Sequence, residues 1–168
     1  MNNIIDKVHS FSVEDHEYYK DVVFTAINQA NLINGNGFAS TNNDYAATLH
    51  KRDNRWFQIP KLLKLVDELY KQITNDTVAH DYKNYWVNIY YPKGSQGRHF
   101  HYDPTTVAGW CYFLHVPENS GIFLTDDQTE YKEEGKIILF PSDLWHEVTE
   151  NKSKDNRITI SGNIQKTS

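Results

Sequence analysis

The sequence has very little cysteine and no long apolar run. Cys111 is its one cysteine, which excludes an intramolecular disulfide and a zinc cluster built on several thiolates. The first residues, MNNIIDKVHSF, carry charges where a signal peptide needs an apolar run, and no stretch approaches the roughly 18 consecutive apolar residues of a membrane-spanning helix. These absences predict a cytoplasmic protein in a reducing compartment, with no membrane partner.

Positive charge is also scarce. Lysine and arginine total 17 against 22 aspartates and glutamates, which gives a formal net charge of −5. A chain of this sign has no broad electrostatic attraction to DNA, RNA or anionic lipid. The composition therefore argues against a nucleic-acid partner, although it is compatible with a local basic groove.

Aromatic residues, by contrast, are abundant, at 14% of the 168 residues. Large, rigid rings suit sheets and the walls of recesses better than solvated helices. The length fits one domain of ordinary size, and no internal repeat or low-complexity tract divides the chain. We therefore expect a single domain, 1–168, with a β-rich core.

Two segments in the first half have helical patterns. Ser12 has the character of an N-cap, and the acidic and apolar residues after it predict a helix from Val13 to Ala30. Pro60 suits a first helical turn, and apolar residues recur at helical spacing as far as Thr74. The stretch between the two helices is rich in Asn and Gly, so residues 31–53 are either a candidate lid or a tolerated surface loop.

After Asn84 the sequence changes to short runs rich in β-branched and aromatic residues. Most of these runs are followed by a turn signal such as PKGSQG, PENSG or NKSKDN. The predicted strands are YWVNIYY, VAGWCYFLHV, GIFLT, GKIILF, HEVTE and NRITISGNI. Such strands without intervening helices are typical of an antiparallel sandwich, barrel or jelly roll. Residues 82–165 are therefore predicted to form a mainly β core, which the helices of residues 1–81 support.

The segment HFHYD, residues 99–103, carries the sharpest chemical signal. In an extended chain, alternation places His99, His101 and Asp103 on one face. Two imidazoles and a carboxylate suit Fe(II), Mn(II) or Zn(II), and a His-x-Asp pair at a strand end can supply two adjacent ligands. By itself the segment is also compatible with a solvated strand end that carries ordinary histidines.

His146 and Arg157 are the other two candidate functional residues. His146 begins a predicted strand directly after an aromatic residue, and from there it can project into a recess. Arg157 begins the last strand on the same alternate face as Thr159, and a guanidinium beside a hydroxyl suits a small carboxylate. Considered alone, His146 could be a histidine hydrogen-bonded at a strand end, and Arg157 could belong to a surface ion pair.

In combination, these residues resemble the Fe(II)/2-oxoglutarate-dependent oxygenase superfamily. The segment YPKGSQGRHFHYDP resembles the glycine loop and His-x-Asp segment of its prolyl-hydroxylase-like members. GKIILFPSDLWHEV, followed by NRITISGNI, resembles their distal-histidine and arginine strands. The whole chain is also similar to small phage and bacterial members. The resemblance implies a double-stranded β-helix, or jelly roll, with N-terminal helices, in agreement with the strand prediction.

The resemblance also implies a role for each matching residue. His101, Asp103 and His146 would be the catalytic residues that bind the iron. Arg157 would bind the distal carboxylate of 2-oxoglutarate, with Thr159 as its hydroxyl partner. These five assignments transfer the superfamily pattern to matching positions of this chain.

Other positions have alternatives. Tyr91 falls where prolyl-hydroxylase-like members place a tyrosine near the co-substrate. The tyrosine that assists the distal carboxylate matches Tyr112, although a one-residue shift of that strand would place Phe113 there. His99 offers a rival ligand pair with His101, and would otherwise adjoin the ligands or face the substrate.

The activity that the resemblance implies is hydroxylation with Fe(II), 2-oxoglutarate and O2, stimulated by ascorbate. Oxidative decarboxylation of 2-oxoglutarate to succinate and CO2 would be coupled to hydroxylation of a C–H bond. A peptidyl proline is the first candidate substrate, and other peptides, proteins or small molecules are alternatives. Two other functions fit a jelly roll: a cupin-type metal enzyme that needs no 2-oxoglutarate, and a non-enzymatic module that binds carbohydrate or peptide.

Overall fold

The computed structural model describes residues 5–29, 46–50, 59–101 and 103–167. Within these ranges the chain forms two helices and eleven strands, which confirms the predicted mainly β jelly roll. The helices are α1 (His16–Gln29) and α2 (Pro60–Thr74). The strands are β1 (His9–Ser12), β2 (Ala46–His50), β3 (His80–Asp81), β4 (Tyr85–Tyr90), β5 (Gln96–His99), β6 (Thr106–His115), β7 (Phe123–Thr125), β8 (Glu130–Tyr131), β9 (Lys136–Pro141), β10 (His146–Val148) and β11 (Arg157–Lys166).

The strands form two antiparallel sheets. The larger sheet has the order β1-β9-β6-β11-β4-β2, with β3 paired to β11, and the smaller has the order β5-β10-β7-β8. From β4 onward the chain passes repeatedly from one sheet to the other, which is the connectivity of a jelly roll. The two sheets therefore face each other and enclose an interior.

Two hydrophobic cores lie on opposite faces of the larger sheet. One contains Val23 of α1, Leu62 of α2 and Trp110 of β6, so the helices cover the outer face of this sheet. The other contains Phe113 of the larger sheet and Phe123 of the smaller sheet, and it fills the space between them. Both helices therefore pack against one face of the larger sheet.

The two helices differ in how well their starts were predicted. α2 begins at Pro60 and ends at Thr74, as predicted. α1 begins at His16, and the prediction that Ser12 is its N-cap is wrong. Ser12 instead ends β1, where its hydroxyl accepts a hydrogen bond from the Lys136 ammonium (2.8 Å). Neither described helix is long and apolar enough to cross a membrane.

The candidate lid lies largely outside the described residues, at 31–45 and 51–53. Between these segments, Ala46–His50 forms β2, an edge strand antiparallel to β4. Part of the predicted loop is therefore a strand of the larger sheet. A five-residue edge strand receives its hydrogen bonds from a distant neighbour, so the local sequence carries little sign of it.

Candidate active site

A cavity opens between the two sheets. Its walls combine aromatic rings with polar side chains from both sheets: Trp86, Asn88, Tyr90, Gln96, His99, His101, Cys111, Phe123, Phe140, His146, Val148, Arg157, Thr159 and Ser161. Alternation along β11 explains part of this lining, because Arg157 and Thr159 face the cavity while Ile158 and Ile160 face the helices. The predicted division of β11 into a polar and an apolar face is confirmed.

Three histidines meet in this cavity. His99, His101 and His146 each offer a ligand atom, and these atoms lie within 4.8 Å of one another. His146 at the start of β10 pairs directly with His99 at the end of β5. The His146 ring stacks on Phe123 at 4.5 Å and an interplanar angle of 12°. Two short strands and one aromatic neighbour therefore position the cluster.

A β-bulge in β5 orients His99. Val148 pairs with Gln96 and His146 pairs with His99, so two residues of β5, Gly97 and Arg98, lie opposite one residue of β10. The extra residue reverses the alternation, and Gln96 and His99 both face the cavity. Bulges are common beside active sites because they redirect a side chain in this way.

Each histidine of the cluster uses its Nδ1 atom to contact a carbonyl oxygen. The contacts are His99 to the Gly97 carbonyl (2.7 Å), His101 to the side-chain carbonyl of Asn163 (2.7 Å) and His146 to the Leu144 carbonyl (2.9 Å). A carbonyl oxygen only accepts, so these contacts assign the hydrogen to Nδ1 and leave the Nε2 lone pair free in all three rings. Metal-binding histidines are held in the same manner.

Burial keeps the three rings neutral. Desolvation lowers the pKa of His99, and it lowers the pKa of His101 to about 4 and that of His146 to about 3, with the neighbouring histidines adding to the shift. Neutral imidazole is the form that binds a metal. Three imidazole nitrogens on one wall of a cavity therefore fit Fe(II), one of the metals that this ligand suits.

The structure does not bring Asp103 to this cluster. β5 ends at His99, and the chain then turns toward β6 instead of continuing as a strand. The Asp103 carboxylate is exposed and accepts hydrogen bonds from the amide (2.7 Å) and the hydroxyl (2.5 Å) of Thr105, which hold its pKa below the usual range. Alternation along an extended chain predicted that Asp103 lies on the same face as the histidines. The chain turns after β5, and this turn leaves the Asp103 carboxylate exposed and away from the cluster.

Arg157 lies in the same cavity and is fully buried, with 0% of its surface exposed. Its Nη1 atom donates a hydrogen bond to the Gly121 carbonyl. Its Nε and Nη2 atoms have no partner among the described residues. Burial lowers the pKa of Arg157, since a desolvated cation without an anion is costly. Two unpaired N–H donors on a buried guanidinium fit the carboxylate of a small molecule such as 2-oxoglutarate.

Of the two hydroxyl-bearing residues predicted near the co-substrate, Thr159 lies in the cavity and Tyr91 does not. Thr159 lines the cavity and its hydroxyl accepts a hydrogen bond from the Asn88 amide (3.2 Å). Tyr91 packs against the helix-side core, and its neighbour Tyr90 lines the cavity instead, hydrogen-bonded to Gln96 (2.9 Å). The tyrosine beside the cavity is therefore one position earlier than the sequence motif indicates.

The strand shift left open for β6 is also settled by its packing. Tyr112 belongs to the helix-side core and hydrogen-bonds to His16 of α1. Phe113 faces the interior between the sheets, with its ring centre 5.7 Å from the Arg157 guanidinium carbon. Of Tyr112 and Phe113, the residue beside Arg157 is therefore Phe113, which has no hydroxyl. The residue that sequence reasoning left without a role is Asn163, whose side-chain carbonyl accepts a hydrogen bond from His101, although its place on the Arg157 face of β11 was visible in the alternation.

A family model described as "Putative 2OG-Fe(II) oxygenase" matches residues 126–163, less than a quarter of the chain. The matched segment contains His146 and Arg157, which line the cavity, and Asn163, which hydrogen-bonds to His101. The resemblance to the Fe(II)/2-oxoglutarate oxygenases is confirmed. The match agrees with the predicted enzyme class and with its cofactors, Fe(II) and 2-oxoglutarate. No curated protein sequence matches this chain.

Solved structures of 2-oxoglutarate oxygenases share the fold. A prolyl-4-hydroxylase from Pseudomonas putida has a TM-score of 0.72 at 13% identity, covering 96% of this chain and 93% of that one. The viral collagen prolyl hydroxylase of Paramecium bursaria Chlorella virus-1, in complex with 2-oxoglutarate, has a TM-score of 0.72 at 16% identity, with 97% of each chain covered. A Trichoplax adhaerens prolyl hydroxylase, bound to a hypoxia-inducible factor peptide, has a TM-score of 0.66 at 13% identity, covering 95% and 84%.

Proposed function

We propose that this protein is an Fe(II)- and 2-oxoglutarate-dependent hydroxylase. The observation that carries the proposal is that one cavity holds both a cluster of neutral histidines and a fully buried arginine with two unpaired N–H donors. The histidines suit the metal and the arginine suits the far carboxylate of the co-substrate. A fully buried Arg157 that faces the cavity favours this function over a cupin-type enzyme or a carbohydrate-binding module, because its unpaired donors fit a carboxylate ligand.

In this proposal, His101 and His146 hold the iron together with a third ligand. When bound, the iron supplies the oxidative chemistry in which decarboxylation of 2-oxoglutarate to succinate and CO2 is coupled to hydroxylation of a C–H bond. The Nδ1 hydrogen bonds orient the two imidazoles before the metal arrives. Arg157 binds the distal carboxylate, and the buried rings of Phe123 and Phe140 exclude water from the reacting groups.

The substrate that we propose is a peptide or protein, with a prolyl residue as the first candidate. Support comes from the shared fold with prolyl hydroxylases, one of which was solved with a peptide bound. Fold alone does not determine a substrate, so the experiment offers proline-rich peptides beside unrelated ones. A mass increase of one oxygen atom on a prolyl residue is the expected result, and hydroxylation of a different residue or of a non-peptide would replace this candidate.

Succinate formation tests the reaction. Wild-type protein with Fe(II), ascorbate and 2-oxoglutarate should release succinate, whereas Arg157→Met should release almost none at the same concentrations. Lys61→Met is the control, because Lys61 is an exposed cation on α2 that pairs with Asp15 (2.5 Å) outside the cavity. A wild-type protein that makes no succinate, or an Arg157→Met variant as active as the control, would contradict the proposal.

A further inference from the structure

We propose that the third metal ligand is His99, so that three histidines hold the metal and Asp103 does not contact it. The inference rests on the proposed metal site and deepens it. Two ligand sets share His101 and His146 and differ in whether His99 or Asp103 completes them. Two features of the structure select His99, and a third, the absence of a carboxylate from the described cavity lining, agrees with it.

The first feature is the backbone position of His99. Antiparallel pairing fixes His99 opposite His146, and the centres of the two rings are 4.3 Å apart. The bulge at Gly97 and Arg98 is what turns the His99 side chain inward. The same segment supplies the acceptor for its Nδ1 hydrogen, the Gly97 carbonyl at 2.7 Å. A strand pair, a bulge and a hydrogen bond therefore all hold His99 in a ligand position.

The second feature is that Asp103 stabilises a turn with both its side chain and its backbone. Its carboxylate accepts two hydrogen bonds from Thr105, and its backbone carbonyl accepts a third from the Thr106 amide (2.9 Å). Together these bonds make the turn that leads into β6. To bind the metal, Asp103 would have to leave this turn and remove an exposed carboxylate from water, whereas His99 is already in place.

The third feature is the charge of the cavity. Its described lining contains no aspartate or glutamate, and its one permanently charged side chain is Arg157. Three imidazoles would leave the full 2+ charge on the metal, where a ligand set with one carboxylate leaves 1+. An anion with two carboxylates can compensate both positive centres, so metal and 2-oxoglutarate should each strengthen the binding of the other.

The test measures metal binding without turnover, by titrating Co(II) and following visible absorption in the full-length protein. His99→Ala should weaken Co(II) binding by more than about 100-fold, beyond the 10- to 100-fold typical of losing a group that only orients a ligand. His146→Ala should do the same. Asp103→Ala should leave the affinity within about threefold. Circular dichroism of the metal-free variants identifies any that fail to fold.

A second variant distinguishes the loss of a metal ligand from misfolding. His99→Gly should lose Co(II) binding and regain it when millimolar imidazole is added, because free imidazole can occupy the vacated position. Loss of binding in Asp103→Ala together with retention in His99→Ala would overturn the inference and leave the proposed function standing on the other ligand set. If the wild-type protein binds no Co(II), the proposed function fails and this inference fails with it.

Discussion

Replacing Arg157 with methionine should separate ligand binding from stability. Methionine keeps most of the buried volume but removes the charge and all the donors. Arg157 is a fully buried cation whose Nε and Nη2 atoms have no hydrogen-bond partner in the part of the chain that the structure describes. Exchanging such a group for an apolar residue of similar size is often neutral or stabilising. We therefore expect the unfolding temperature of ligand-free Arg157→Met to equal or exceed that of the wild type.

The effect on 2-oxoglutarate binding should be large and opposite in sign. A hydrogen bond to a charged group contributes about 1.5–3 kcal/mol, so losing the equivalent of one weakens binding roughly 10- to 150-fold. At a concentration 100 times the wild-type Kd, 2-oxoglutarate stabilises the native protein by about 2.7 kcal/mol. For a domain of this size, that raises Tm by about 5–11 °C. The same concentration should give the variant about half that shift or less.

The assay is thermal unfolding with Mn(II) in place of Fe(II), which permits binding without turnover, in the presence and absence of 2-oxoglutarate. A purely structural role for Arg157 predicts that the variant loses stability in both conditions. A functional role predicts a loss only in the presence of 2-oxoglutarate. An unchanged 2-oxoglutarate shift in Arg157→Met would refute the reasoning.

Three further changes test one residue that contacts the histidine cluster and two positions outside the cavity. Asn163→Ala should weaken Co(II) binding by about 10- to 100-fold, since it removes the acceptor that orients His101. Gly162→Ala should destabilise the protein by about 1–3 kcal/mol in urea unfolding, because its Cβ would lie 2.5 Å from the buried Trp110 ring. Glu134→Gln should cost about 1–2 kcal/mol of stability at pH 7. Burial opposes ionisation of Glu134, but hydrogen bonds to it prevail and lower its pKa to about 2.

Each of these predictions has a control. Asn163→Asp keeps an acceptor oxygen and should retain the Co(II) affinity that Asn163→Ala loses; equal losses would indicate a general packing defect. Gly97→Ala meets no atom within 4 Å and should unfold like the wild type. For Glu134, the lowered pKa means that its stabilisation is present above about pH 4.5 and fades as the pH falls toward 2. A difference between wild type and Glu134→Gln that persists at pH 2 would contradict this account.

The sequence predicted the strands that carry their own signal. β4, β6, β9 and β11 are runs of β-branched and aromatic residues; β4 lies within its predicted run, and the other three overlap theirs to within two residues at each end. β1, β2 and β3 were missed because they are short edge or peripheral strands, which obtain their hydrogen bonds from partners far along the chain. The local sequence pattern identifies a strand that has a hydrophobic face. It carries little signal for a short strand that forms mainly through hydrogen bonds to the edge of a sheet.

For the candidate site, too, the sequence predicted some residues and only the structure decided others. The sequence by itself identified His101, His146 and Arg157, which the structure brings into one cavity, and it placed Arg157 and Thr159 on a shared face. Only the tertiary structure decided which neighbour faces the cavity: Tyr90 and not Tyr91, Phe113 and not Tyr112. The physical reason is that successive side chains of a strand lie on opposite faces of the sheet. A shift of one residue in the pairing register therefore moves every side chain of the strand to the other face. The pairing register is set by the bulge in β5 and by hydrogen bonds between strands that are distant in sequence. The local sequence predicts neither of them.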